Sequence, residues 1–246
     1  MTRALTCVSS QLFGIFVILS LLVCPSAKAD GTDLVISYQK ARTEYMALKA
    51  SLPVSLRNRF ESSGHHAKIR LRSDQIERKR QYFELKNRYE TLKLTLELKA
   101  ALTQTFSDQN LHGNKPEADQ EAEKLALALI PEIARLKASY RYIGSPILHN
   151  MLINSGMRER GACKDWAEDL LSFLQKRPHH YFRFTWGEAN ATKLTEHNVT
   201  VVIPLNGQFE DGLLIDPWRK RGNPFWLRVN TDKHYKWRQW DGYEGD

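Results

Sequence analysis

In the first half of the chain, apolar residues recur every three or four positions over three long stretches. From residue 33 to about 52 they are Tyr38, Ala41, Tyr45, Leu48 and Leu52. From 73 to about 106 they are Tyr82, Leu85, Tyr89, Leu92 and Leu96, and from 117 to 142 they are Leu125, Leu129, Ile133, Leu136 and Tyr140. Each spacing lays one apolar stripe along a helix. Pro53 ends the first helix or begins its successor. Ser73 is the expected N-cap of the second helix, and Lys99 interrupts its stripe. Pro116 suits the first turn of the third helix. Pro131 predicts a kink there, because a mid-helix proline removes a hydrogen bond and crowds the preceding turn. The pattern describes a helical hairpin or bundle, or a short coiled coil. Ser62-Ser63-Gly64-His65-His66 and the stretch around Gly113-Asn114 read as polar loops.

Gly144-Ser145-Pro146 closes this half, and the pattern then changes. Residues 147–156 form a short helix and turn. Residues 163–175 form an amphipathic helix with Trp166, Ala167, Leu170, Leu171 and Leu174 on its apolar side. Residues 181–186 and 197–203 alternate with period two, which puts His197, Val199, Val201 and Ile203 on one strand face. Asn206-Gly207 signals a turn. Residues 212–216 form a short strand ended by Pro217, and 225–229 are a candidate for one more. All the tryptophans lie beyond residue 160. A helix followed by antiparallel strands makes an α+β core. The expected division is 1–29, a signal peptide; 30–145, a helical region; and 146–246, an α+β domain.

The signal peptide rests on a basic start with Arg3, an apolar core over residues 12–23, and Ala27-Lys28-Ala29 as an A-x-A cleavage site. That core is shorter than the roughly 20 residues of a membrane span, and no later stretch is apolar enough to cross a bilayer. The chain is therefore expected to be exported, periplasmic or secreted. Cys24 after Leu21-Leu22-Val23 offers lipoprotein anchoring as the lesser alternative. Removing Arg3 and Lys28 takes the formal charge from +8 to about +6. That excess is scattered and not gathered into a basic, aromatic-interleaved face, so nucleic acid is not expected as a partner.

Export makes the cysteine count informative, because exported domains pair their cysteines. With Cys7 and Cys24 in the leader, Cys163 stands alone. It is either a small buried hydrophobe or a reactive thiol. It follows Gly161-Ala162 at the expected first turn of a helix, where free N–H groups and the dipole favour an anion. A cysteine nucleophile also needs a base and a group to orient it. His197 heads one strand and Asp216 ends the next. The competing readings are a capping or core histidine and a turn aspartate before Pro217. His149 is the rival base. For an oxyanion, the backbone N–H of Cys163 is one donor, and Asn150 and Asn154 are candidates for a second. Trp166 and Trp218 are the expected cleft walls. His65-His66 has no acidic or thiol partner at ligand spacing, so no metal is expected. No phosphate loop or dinucleotide fingerprint is present, so no cofactor is expected.

Three segments, Gly161-Ala162-Cys163-Lys164-Asp165-Trp166-Ala167, Glu196-His197-Asn198-Val199 and Leu214-Ile215-Asp216-Pro217-Trp218, resemble the motifs of the transglutaminase-like superfamily. The resemblance covers roughly residues 147–240. The Arg160-Gly161-Ala162-Cys163 helix start and the Asp216-Pro217-Trp218-Arg219 segment are similar to exported bacterial members of it. The resemblance implies a papain-like fold with a Cys-bearing helix packed on an antiparallel sheet. It also implies Cys163 as nucleophile, His197 as general base and acid, and Asp216 as its orienting partner. The expected activity is a cysteine peptidase, amidase or acyltransferase working through a thioester. Its substrate would be a protein or peptide, cell-wall peptide included. The alternative is a non-enzymatic envelope scaffold whose helices bind a helical partner protein beside a degenerate domain.

Overall fold

The computed structural model describes residues 31–64, 71–108 and 115–242. The leader with Cys24, the His65-His66 pair and the Gly113-Asn114 loop lie outside these. Six helices come first: α1 Gly31–Ser51, α2 Val54–Ser63, α3 Ser73–Asp108, α4 Lys115–Ser139, α5 Pro146–Asn154 and α6 Cys163–Gln175. Five strands follow: β1 Phe182–Ala189, β2 His197–Pro204, β3 Leu213–Ile215, β4 Trp226–Arg228 and β5 Arg238–Trp240. The class is α+β, and every strand pairing is antiparallel, in the order β4-β3-β2-β1-β5. Among the described residues no helix is long and apolar enough to cross a membrane.

Helix α1 packs on the first half of α3 through a tyrosine seam. Tyr38 and Tyr45 both stack on Tyr89, and Tyr45 also meets Tyr82. Because Tyr38 sits by Tyr89 while Tyr45 reaches Tyr82, the helices run antiparallel. Helix α2 buries Leu56 and Phe60 against the same seam. Helix α4 returns along the second half of α3. Lys99 accounts for the break in the α3 stripe: its ammonium lies 2.8 Å from both Asp119 and Glu123 of α4. The expected N-cap is corrected by one residue. Arg72, not Ser73, supplies the carbonyl that accepts the first helical bonds, from Gln75 and Ile76.

Helix α4 continues through Pro131 to Ser139 as one element. Pro131 and Leu127, whose carbonyl loses its usual N–H partner, both face solvent, where water can take the place of the missing bond. The helix ends in a Schellman arrangement. Tyr142 N–H donates to the Lys137 carbonyl, and Arg141 N–H donates to Ala138. Arg141 holds the left-handed position with φ 48°. This turn projects Tyr142 toward α6.

The main core ignores the expected boundary at 145. Leu98 and Leu102 of α3 and Leu129 and Ile133 of α4 share one cluster with Trp166, Leu170 and Leu174 of α6 and with Val202, Leu213 and Ile215 of the sheet. Strand β2 is central and buried on both faces. Its other face, Val199, Val201 and Ile203, packs with Phe209, Leu214 and Val229. Thr200 fastens β2 to α6 by donating its hydroxyl to the Ala167 carbonyl at 2.9 Å.

Candidate active site

The turn before α6 is built around a glycine. Gly161 has φ 120°, and a Cβ there would come within 2.3 Å of His149 Nε2. No other residue fits either condition. The close neighbour of Gly161 is thus a buried imidazole. His149 Nε2 lies 3.0 Å from the Arg160 carbonyl, which can only accept, so this nitrogen carries the proton. Its Nδ1 accepts from Ile143 N–H at 3.4 Å, and its ring stacks on Tyr142. With both nitrogens engaged by backbone, His149 is a brace for the turn and not a base. Asp165 completes the local structure: its carboxylate accepts from Gly161 and Ala162 N–H, both at 2.8 Å. Ala162 has no side-chain acceptor, so only this half of a capping arrangement exists. Cys163 follows as the first helical residue, half-buried and free.

His197 and Asp216 meet in the interior. His197 Nε2 and Asp216 Oδ2 are 2.8 Å apart, and both side chains are buried. His197 Nδ1 makes no hydrogen bond among the described residues. The Cys163 thiol is nonetheless near enough to act on the ring's protonation. Burial alone would push His197 down. The hydrogen bond to Asp216, the thiol of Cys163 and the Asp216 charge outweigh it and raise the imidazole to about 9. Sequence-expected Cys163, His197 and Asp216 are therefore brought together, one nitrogen of the ring held by the carboxylate and the other left open.

A second layer holds the carboxylate. Arg219 donates from Nε to Asp216 at 2.8 Å and from Nη2 to Asp232 at 2.8 Å. Asp232 also accepts from Trp237 Nε1 and His234 N–H. Burial raises Asp232, but these donors and the Arg219 charge bring it down to about 2. The His197 ring is enclosed by Trp218, Tyr235 and Trp237, with centroids 4.8, 4.9 and 5.5 Å away. None of Tyr142, Asp232, Tyr235 and Trp237 was expected. They enter on turns and short segments without periodicity. Arg219 had a signal, since it stands in the Asp216-Pro217-Trp218-Arg219 segment.

The remaining expectations divide. Trp218 lines the site, and its Nε1 donates to Asn150 Oδ1 at 3.4 Å. Asn150 is thus at the site as an acceptor from Trp218, while Asn154 is exposed at the far end of α5. Trp166 is not a cleft wall. Three residues after Cys163 it turns into the core, edge-on to Tyr140 and Tyr142. Tyr142 has a buried hydroxyl with no hydrogen-bond partner among the described residues. Burial, Asp216 and Cys163 all hold that phenol in its protonated, donating form. Among the described residues no group of His, Cys, Asp or Glu is arranged to hold a metal ion. A cavity of about 600 Å³ lies between α4, α6 and residues 156–160, behind the turn before α6; neither Cys163, His197 nor Asp216 lines it. No family model, curated protein or solved structure matches the chain.

Proposed function

We propose that the chain is a cysteine-nucleophile hydrolase or acyltransferase that cleaves amide bonds, built as a transglutaminase-like, papain-fold enzyme. The observation that carries this reading is His197, with Nε2 fixed 2.8 Å from Asp216 and Nδ1 open beside the Cys163 thiol. Its raised pKa supports a protonated imidazole at neutral pH, and a positive charge beside the sulfur is the kind of neighbour that favours attack by a cysteine.

In the proposed reaction the sulfur of Cys163 attacks the amide carbonyl carbon and forms a C–S bond. The oxyanion lies over the start of α6, where the Cys163 N–H has no intrahelical partner. The unpaired Tyr142 hydroxyl is the second donor. His197 gives its proton to the departing nitrogen as the C–N bond breaks, leaving a thioester. Water, or an amine in the transfer reaction, then attacks the thioester carbon and loses a proton to His197, and the thiolate is released. Asp216 keeps the ring oriented throughout, and the hydrogen bond from Arg219 holds Asp216 in place. Action outside the cytoplasm, read from residues 1–29, belongs to the same proposal.

Iodoacetamide labelling of Cys163 at pH 6 tests it. The expected rate exceeds that of a free model thiol by about tenfold or more, because model thiols are mostly protonated there. His197→Ala should abolish the excess. Labelling no faster than the model thiol would sink the reading.

A further inference from the structure

Arg219 divides one edge of its guanidinium between two carboxylates. Its Nε donates to Asp216 Oδ2 and its Nη2 to Asp232 Oδ2, both at 2.8 Å. A guanidinium frequently turns that edge to a single carboxylate as a two-bond fork. Here the fork is opened, and the other oxygen of Asp216 accepts from the Arg219 backbone N–H at 3.1 Å. The oxygen that meets Arg219 Nε also lies 2.8 Å from His197 Nε2. Guanidinium and imidazole thus compete for one atom. Whatever draws Arg219 away strengthens the hold of Asp216 on the ring.

Asp232 is placed to draw it away. Its side chain is 0% exposed and that of Arg219 17%, so neither charge is well hydrated. Asp216 and Asp232 are the carboxylates paired with Arg219 among the described residues. His234 N–H and Trp237 Nε1 steady Asp232 by donating to it, both at 2.9 Å. The guanidinium lies over the rings of Phe225, Tyr235 and Trp237, 5.3, 5.0 and 5.9 Å from their centroids. Tyr235 and Trp237 also border the imidazole, and the Cys163 thiol and the Tyr142 phenol are the other titratable groups near it. Asp232 therefore reaches His197 by two routes, through Arg219 and Asp216 and through the ring of Trp237.

We infer that Asp232 is a positioning residue for the proposed reaction: by holding Arg219 from behind, it keeps Asp216 turned to His197, so that the imidazole carries the proton the leaving nitrogen takes. It acts through Arg219 and touches no reacting atom. This rests on the function proposed above and adds the group that governs its base. Loss of the Asp232 charge would act in one direction. Arg219 could close its fork on Asp216, and its own charge would stand uncompensated. Both changes disfavour a second cation on the same carboxylate, so His197 would lose its proton at lower pH.

NMR titration of the full chain with labelled histidine reads this, the His197 signal being identified by its loss in His197→Gln. Its midpoint should fall in Asp232→Asn by about one pH unit or more. Adding Arg219→Gln should bring it back toward that of the unsubstituted chain, because the surplus cation is gone. A purely structural Asp232 would lower Tm and leave the midpoint in place, and that result overturns the inference. So does a double variant whose midpoint stays as low as in Asp232→Asn. If Asp232→Asn does not fold, the double variant decides. Folding with a midpoint near that of the unsubstituted chain supports the role, since the stranded cation was then the harm; a lowered midpoint or failure to fold overturns it. Slow iodoacetamide labelling of the unsubstituted thiol would instead count against the enzyme reading alone, because the titration needs no reaction.

Discussion

His197 sits between opposing forces. Burial favours the neutral ring, while Asp216 and the neighbouring thiol favour the cation and prevail. If the ring must hand a proton to the leaving nitrogen, hydrolysis should fall on the alkaline side with an apparent pKa near 9. A pH profile of kcat/KM checks this, and an alkaline limb near the ordinary 6.5 would contradict it. Gly161→Ala should cost about 3 kcal/mol or more, because the methyl group would collide with the His149 ring at a left-handed φ. Urea unfolding measures that loss. Arg141→Gly should stabilise the chain by up to about 1 kcal/mol, since glycine adopts the left-handed helix end without the Cβ penalty. A rise in Tm would show it. At this scale the sequence is readable wherever a chemical residue stands at the end of a regular element. Cys163 opens an amphipathic helix, His197 opens an alternating strand, and Asp216 precedes a proline. Trp166 was misread because nearness to Cys163 in sequence says nothing about its face; three residues round a helix carried it into the core. Tyr142 and Trp237 reach the site from irregular backbone, where no repeat announces them.

Among elements, the contact between α3 and α4 depends on a part-buried charge. Lys99 is held by Asp119 and Glu123, and Glu123 is itself buried. Removing one partner of such a pair strands the other. Lys99→Met should therefore cost about 3 kcal/mol, and adding Glu123→Leu should recover much of it. A double-mutant cycle in urea distinguishes this from simple loss of packing. The long helices were legible because their stripes repeat over many turns, and α6 and β2 for the same reason. Helix α2 was hidden behind Pro53, which reads equally as a stop or a start. Strand β5 left no trace because Arg238, Gln239 and Trp240 are all exposed at a sheet edge, where no alternation is required.

For the whole molecule, stability should vary with pH in a way set by the site. A histidine raised from 6.5 to about 9 on folding contributes fully below about pH 6.5, and that contribution is lost as pH rises through 9. The shift corresponds to on the order of 3 kcal/mol. Urea unfolding at pH 6 and pH 10 should show this difference, and His197→Gln should flatten it. Asp232 acts at the other end. Its contribution is present above about 3.8 and lost as pH falls through about 2. The expected division at residue 145 rests on the change of sequence pattern after Gly144-Ser145-Pro146. It could not reveal that α3 and α4 supply half of the core under the sheet, because helix stripes do not say what they face.

The order in which the chain is made bears on the His197 enclosure. Cys163 precedes His197 and Asp216, and Arg219, Asp232, Tyr235 and Trp237 come near the end of the described residues. A growing polypeptide would carry the thiol for some seventy residues of synthesis before the last ring closes over the imidazole. Until then the aromatic walls around His197 are incomplete. Under the reaction proposed for the site, competence would therefore arrive late, because an unfinished chain has nothing yet to steady His197.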